Sequence, residues 1–278
     1  MRLTRRGRLV VTLTMVALVG ASATYAVVTT PVGTALGLTD GPACTLIAGE
    51  TTYDWSTEQA MTATTVAGVG TRIGATANGV AAAVATALRR ERDTAVGTEA
   101  AREVYRNLPD VATPGQDALR IAEAVLGHDG SALTCTVPLV ETADNEREDP
   151  AELGLTPRGD TLRQAMREVF GKQVLGGFEP KGVTSGHIEG SAHYEGRAID
   201  VFFRPVTEEN QRLGWQQAMW SVAHAARLDV ATVIFDRRIW TARSSLQGWR
   251  EYRYPGGETD NPVLLHEDHV HVDVHEGG

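Results

Sequence analysis

The sequence predicts an α+β protein: an antiparallel sheet domain preceded by a small helical domain and an N-terminal membrane segment. Three observations lead there. Strands and helices follow one another without a βαβ repeat. Cys44 and Cys135, the only cysteines, bracket a stretch with helical periodicity. The chain closes on "HVHVDVH", residues 269–275, which alternates strictly in polarity as a strand does.

The elements take their places in order. Arg2, Arg5, Arg6 and Arg8 precede "LVVTLTMVALVGASATYAVV", residues 9–28, a run without charge. Basic residues ahead of an apolar run direct a chain to a membrane and hold its basic end in the cytoplasm. The run is long enough to span a bilayer, which takes roughly 20 apolar residues. It also contains Ala21-Ser22-Ala23, a small-residue cleavage site, so an anchor and a cleaved signal both stand. Either way residue 41 onward faces outside the cytoplasm, membrane-anchored or secreted. Residues 29–40 read as a tether. An oxidising compartment favours a Cys44–Cys135 disulfide, which would contribute roughly 4–5 kcal/mol on the chain-entropy model; two separate buried thiols are the alternative.

Between the cysteines, residues 41–137 form the helical domain. "CTLIAGETTYDW" reads as a strand pair. "STEQAMTATTVAGVGTRI" opens with a capping box from Ser56 to Glu58-Gln59. "ANGVAAAVATALRRERD", "TEAAREVYRNL" and "GQDALRIAEAVLGHDG" supply three more helices, the last closed by glycine. Residues 138–155, "PLVETADNEREDPAELGL", are acidic and read as a linker. From 156 the texture changes. "TPRGDTLRQAMREVFG" is a capped helix, "GGFEPKGV" a short strand, "RAIDVFF" a buried strand and "TEENQRLGWQQAMWSVAHAARL" one long helix. "VATVIFD" and "RRIWTA" make a hairpin. With a net charge of -9 and no basic block after residue 8, the chain lacks the clustered positive charge that nucleic acid requires.

The chemistry concentrates in two stretches. On the last strand, Val270, Val272 and Val274 share one face and His269, His271, Asp273 and His275 the other. In "SAHYEGRAID", residues 191–200, His193 precedes and Asp200 opens a buried strand, with Gly196 allowing a sharp turn between them. A charged aspartate at such a strand mouth must be paired, solvated or bound to something. Histidine and aspartate both ligate zinc, and three protein ligands leave the fourth position of a catalytic site open.

The pattern Ser191-x-His193-x-x-Gly196-x-Ala198-x-Asp200, followed by Asp268-x-x-His271 within His269-x-His271, resembles the zinc D-Ala-D-Ala metallopeptidases. This is the Hedgehog/DD-peptidase fold group of peptidoglycan carboxypeptidases and endolysins, and the likeness covers residues 156–278. It implies His193, Asp200 and His271 as ligands of Zn2+ and Asp268 as catalytic acid/base. It implies His269 as a second active-site histidine and Ser191 as a loop-orienting or substrate-contacting hydroxyl. It further implies an extracytoplasmic hydrolase, a metallopeptidase cleaving stem or crossbridge peptides of the cell wall; a non-catalytic zinc-holding wall- or partner-binding module of the same fold is the alternative. The donor that the family often carries upstream of the first ligand has only Lys181 and His187 as counterparts here, and "HEDHV" is not an HExxH motif. His266, Glu267 and Asp273 are candidates for orienting the ligands. His128, His187, His224 and His275 read as surface or core histidines. The tryptophans read as core, with Trp240 and Tyr252 as candidate cleft-rim residues. The helical domain is similar to a small lysozyme-like domain of actinobacterial exported proteins, in "EQAMTATTVAGVGTRIGATANGVAAAVATAL". Arg89-Arg90-Glu91 stands where that family has its glutamate, and no carboxylate pair is present for glycosidase chemistry, so the domain reads as a helper or spacer.

Overall fold

The structure, a computed structural model, describes residues 43–90, 94–109, 113–138 and 146–277. The N-terminal apolar run lies outside them, and among the described residues no helix is long and apolar enough to cross a membrane. The fold is mixed α+β with antiparallel sheets. In the first unit, β1 (Cys44–Ala48) lies between β2 (Thr51–Trp55) and β3 (Leu133–Cys135). Cys44 and Cys135 are direct cross-strand partners, and the disulfide joins them.

Helix α1 (Thr57–Ile73) starts at a reciprocal cap. Ser56 Oγ accepts the Gln59 N–H at 3.2 Å, and Gln59 Oε1 accepts the Ser56 N–H at 2.9 Å. Every residue from Ala60 to Gly70 is buried, so α1 is the centre of its unit. Helices α2 (Ala77–Arg90), α3 (Thr98–Arg106) and α4 (Gln116–Val125) pack around it or on one another. Small residues allow close approach on the other side. A Cβ on Gly68 would lie 2.5 Å from Val169 Cγ1 of α5 (Pro157–Phe170).

The second sheet runs β4 (Leu175–Gly176), β5 (Ala198–Phe202), β9 (His269–Val274), β6 (Val230–Phe235), β7 (Arg238–Thr241) and β8 (Arg250–Glu251), with every neighbouring pair antiparallel. The expected strand in "GGFEPKGV" is corrected: β4 ends at Gly176, because Gly177 turns the chain with φ 76°. The hairpin between β6 and β7 turns at Asp236 and Arg237, both with positive φ, the conformation of a two-residue turn matched to strand twist.

The apolar face of this sheet is covered by α6 (Glu208–Ala223), buried at every position from Gly214 to Ala223. A Cβ on Gly214 would come within 2.1 Å of the Phe235 ring. The long helix does not run unbroken to residue 228 as expected. It stops at His224 and resumes as the single turn α7 (Ala225–Leu228). His224 Nδ1–H donates to the Trp220 carbonyl at 2.9 Å, its Nε2 meets Thr65 Oγ1 at 3.2 Å, and its ring stacks on Trp220.

One apolar core therefore runs from Cys44 through α1 and α6 to Val274. Polar contacts follow the same seam. Trp240 Nε1–H donates to the Cys135 carbonyl and Trp249 Nε1–H to the Leu133 carbonyl, at 3.1 and 2.8 Å. Trp240 is thus fully buried rather than on a cleft rim, because it faces the core side of β7. At the end of the acidic stretch, Glu148 Oε2 accepts the Arg158 N–H at 2.8 Å and Leu155 is buried.

Burial, together with the nearby Arg227, pushes the His224 pKa down to about 3. The group is neutral when folded and titrates near 6.5 when unfolded, so its contribution is complete above pH 6.5 and is lost as pH falls toward 3. His224→Gln is expected to remove about 2 kcal/mol of the acid destabilisation between pH 6.5 and 5, read from urea midpoints of both proteins across that range.

Candidate metal centre

Alternation on two neighbouring strands builds the floor of the site. On β9 the three valines enter the core, while His269, His271 and Asp273 face away from it. On β5, Ile199 and Val201 enter the core and Asp200 and Phe202 share the other face. The register places Asp200 directly opposite His271 and Phe202 opposite His269. A carboxylate and an imidazole thus stand side by side on a rigid sheet. The polar face is not the solvated surface that alternation alone allows: His269 and His271 are 5% and 8% exposed.

The third side chain arrives from the 3-10 turn Ala192–Glu195. Ser191 caps it, its Oγ accepting the His193 N–H at 3.4 Å. Gly196 ends it with φ 66°, where a Cβ would lie 2.6 Å from the Gly154 carbonyl oxygen. The turn carries His193 onto the sheet. His193 Nε2 lies 3.0 Å from His271 Nδ1 and 3.3 Å from Asp200 Oδ1, and His271 Nδ1 lies 3.3 Å from the same oxygen.

The remaining ring nitrogens show what those three atoms are. His193 Nδ1 is 2.7 Å from the Gly177 carbonyl, which can only accept, so Nδ1 carries the proton and Nε2 a lone pair in the neutral ring. His271 Nε2 is 3.3 Å from Asp273 Oδ2, and donation to that carboxylate leaves a lone pair on Nδ1. Two lone pairs and an anionic oxygen crowded together repel one another unless a positive charge lies between them. Their spacing forms one face of a tetrahedron whose centre is about 2 Å from each atom, the bond length of a divalent ion to histidine and aspartate. His193, Asp200 and His271, all buried, can hold a metal ion. Gly177 and Asp273 orient the two imidazoles as outer-shell partners do.

Electrostatics point the same way. Burial opposes the charge on Asp200, but hydrogen bonds with His193 and His271 outweigh it and hold the carboxyl far below its usual range. Burial likewise opposes charge on His271, yet Asp200 and Asp273 push its pKa up to about 9. A cation entering the cage would compete with a proton for His271.

Beside the cage, His269 Nδ1–H donates to Asp268 Oδ1 at 2.7 Å, while its Nε2 lies toward the cage, 3.7 Å from Asp200 Oδ1. The other Asp268 oxygen accepts Arg204 Nε–H at 2.5 Å, and the Arg204 guanidinium sits 4.2 Å from the Phe202 ring centroid. The His266 ring lies 4.7 Å from that of His269, and burial and its neighbours His271 and His269 push its pKa down to about 2. Among the three residues expected to orient ligands, Asp273 touches one, His266 packs beside them, and Glu267 instead pairs with Arg237. Tyr252 lies edge-on against His266. The site opens into a cleft of about 750 Å³ that Ser191, His187, Tyr252 and His275 also line. His224 is a core residue and His128 lies on the surface.

Sequence reasoning missed Gly177 and Arg204. Gly177 has φ 76°, and a Cβ there would lie 2.3 Å from His193 Cε1 and 3.0 Å from Asp200 Oδ2. The glycine pair at 176–177 was the available signal, and the reading of that segment as a strand passed over it. For Arg204 no sequence spacing gives a cue.

Comparison with known proteins adds one likeness. The family model described as "VldE, C-terminal domain" matches residues 151–263, a span that includes His193 and Asp200 and ends before His271. No curated protein and no solved structure matches the chain.

Gly177→Ala is expected to abolish stoichiometric metal while leaving the circular dichroism of the fold in place, read by elemental analysis after dialysis. Because binding displaces the proton of His271, metal affinity is expected to rise close to tenfold per pH unit between pH 6 and 8, measured by competition with a chelator of known affinity.

Proposed function

We propose that this protein is an extracytoplasmic zinc-dependent peptidase that cleaves stem or crossbridge peptides of peptidoglycan, a member of the D-Ala-D-Ala metallopeptidase group with the Hedgehog/DD-peptidase fold. The carrying observation is the convergence of His193 Nε2, Asp200 Oδ1 and His271 Nδ1 within 3.3 Å in the wall of an open cleft. The donor set is two neutral imidazoles and one carboxylate, the nitrogen and oxygen mixture that suits zinc. The ordered motifs at 191–200 and 268–271 support the family, as does an antiparallel sheet carrying them on one face. The basic and apolar N-terminus and the Cys44–Cys135 disulfide support placement outside the cytoplasm, membrane-anchored or secreted.

His193, Asp200 and His271 would hold the zinc. When bound, zinc supplies Lewis acidity, lowering the pKa of a coordinated water to about 7 and polarising a peptide carbonyl. The chain's own residues handle the proton. His269 Nε2 faces the cage with a lone pair, because Nδ1–H is committed to Asp268. It is placed to take a proton and pass it to the departing amine. Asp268, assigned as acid/base from the motif alone, has one oxygen on His269 and the other on Arg204. In the proposed mechanism it orients His269 and stabilises the charged ring, and proton transfer belongs to the Asp268–His269 pair. The same engagement of Asp268 favours the second reading, a zinc-holding module of this fold that binds wall or a partner without turnover.

The test is to load residues 41–278 with zinc, incubate them with a muropeptide panel and follow products by mass spectrometry. Cleavage is expected, with His269→Gln retaining metal and fold but losing on the order of 100-fold or more in kcat. Wild-type protein that binds zinc and muropeptides but releases no product would establish the binding module instead.

A further inference from the structure

Three histidines of the cleft wall, His187, His266 and His275, stand outside both the ligand set and the proton relay. His187 lies face-on against His193, with ring planes 24° apart, and His275 follows the end of β9. His266 is placed differently. Its ring packs against a ligand and against the relay at once, with its centroid 5.6 Å from that of His271 and 4.7 Å from that of His269.

The chain holds that ring in place against a backbone preference. His266 has a φ of 55°, in the left-handed region that residues with a Cβ seldom enter. Its N–H donates to the Val263 carbonyl at 3.2 Å, and its carbonyl accepts the Asp236 N–H of the β6–β7 turn at 2.7 Å. Tyr252 meets the ring edge-on, with 4.9 Å between centroids. Despite this anchoring, Nδ1 of His266 is enclosed by protein and has no hydrogen-bond partner among the described residues. A buried polar atom left unpaired calls for an explanation, and a cation is a partner that an imidazole lone pair accepts.

The neighbouring ring offers a second lone pair. His269 Nδ1–H is committed to Asp268, so Nε2 is free to accept, and it lies 3.7 Å from Asp200 Oδ1. An ion about 2 Å from one nitrogen of each ring would lie about 3 Å from both centroids, so rings 4.7 Å apart can share it. Asp200 can lend its charge to this ion as well as to the one in the cage, as suits two-metal sites, whose ions stand about 3.5–4 Å apart. Two imidazoles and a shared carboxylate, facing the charge of the first ion, hold the second more weakly than the cage holds the first.

We propose that His266 and His269 form a second, weaker zinc site beside the cage, filled when zinc is in excess and silencing the enzyme by occupying the His269 lone pair. The proposal rests on the metal-centre and relay reading given above and adds regulation to it.

The test dialyses the full-length protein in detergent against a series of zinc concentrations and counts bound zinc by elemental analysis. The wild type is expected to bind one equivalent tightly and a second more weakly. His266→Asn keeps the left-handed backbone, which asparagine enters readily. It is expected to retain the first equivalent and weaken the second at least about tenfold, the loss that even an outer-shell partner brings. His269→Gln is expected to do the same from the other side of the pair. On a muropeptide substrate, excess zinc is expected to inhibit the wild type and to leave His266→Asn unaffected over the same range. A second equivalent that persists unchanged in either variant lies elsewhere and overturns the proposal, as does wild-type protein that stops at one equivalent; equal inhibition of the wild type and His266→Asn overturns the silencing role. Protein that takes up no zinc at all removes the cage itself and the second site with it. Zinc uptake without cleavage removes the peptidase reading, and the count of equivalents still decides the second site.

Discussion

Three electron-rich atoms held within about 3 Å of one another form the constraint on which the site depends. Two imidazole lone pairs and a carboxylate oxygen do not assemble spontaneously in a buried place. They stay together because each belongs to an element fixed by other forces. The valine face of β9 and the Ile199 and Val201 face of β5 are anchored in the core. The strand register then sets Asp200 opposite His271 with no freedom to slip, since a one-residue shift would exchange core and polar faces. The 3-10 turn is locked by Ser191 at one end and Gly196 at the other.

Behind this floor the rest of the molecule acts as a buttress. Helix α6 lies between the sheet and α1, and strand β3, which carries one half of the disulfide, offers its carbonyls to Trp240 and Trp249. Among the described residues, the helical unit adds none to the cleft lining. A buried cluster of this kind needs such backing. Asp200 and Asp273 draw positive charge to His271 from two sides, and a loose backbone would let the carboxylates separate or reach solvent instead.

Much of the site was readable in advance for reasons of periodicity. His271 and Asp273 alternate with valine, so a period of two assigns them to one face without any knowledge of neighbours. His193 and Asp200 flank a glycine turn ahead of a strand, and their spacing names them as a pair. Gly177 was missed because its contribution is a backbone carbonyl and the absence of a Cβ, neither of which has a side-chain pattern. Trp240 stood open between core and rim because an aromatic on a short strand near a cleft can serve as either, and the side of β7 it occupies places it in the core. The break at His224 was hidden within an amphipathic run that continues on both sides of it.

The sequence by itself determined most of the elements, their order and the one pairing open to its two cysteines, because local propensity and alternation are written residue by residue, while the choice of His193, Asp200 and His271 as the side chains able to share an ion came from the likeness of two motifs to a known family. Only the tertiary structure decided which nitrogen of each ring carries its proton, that Asp268 serves His269 and Arg204, and that helices and sheet share one core. Those outcomes rest on contacts between segments such as 177 with 193 and 193 with 271, separated by 16 and 78 residues. A hydrogen-bond partner at that distance has no signature in the intervening chain, since it exists only once the core has brought the two ends together.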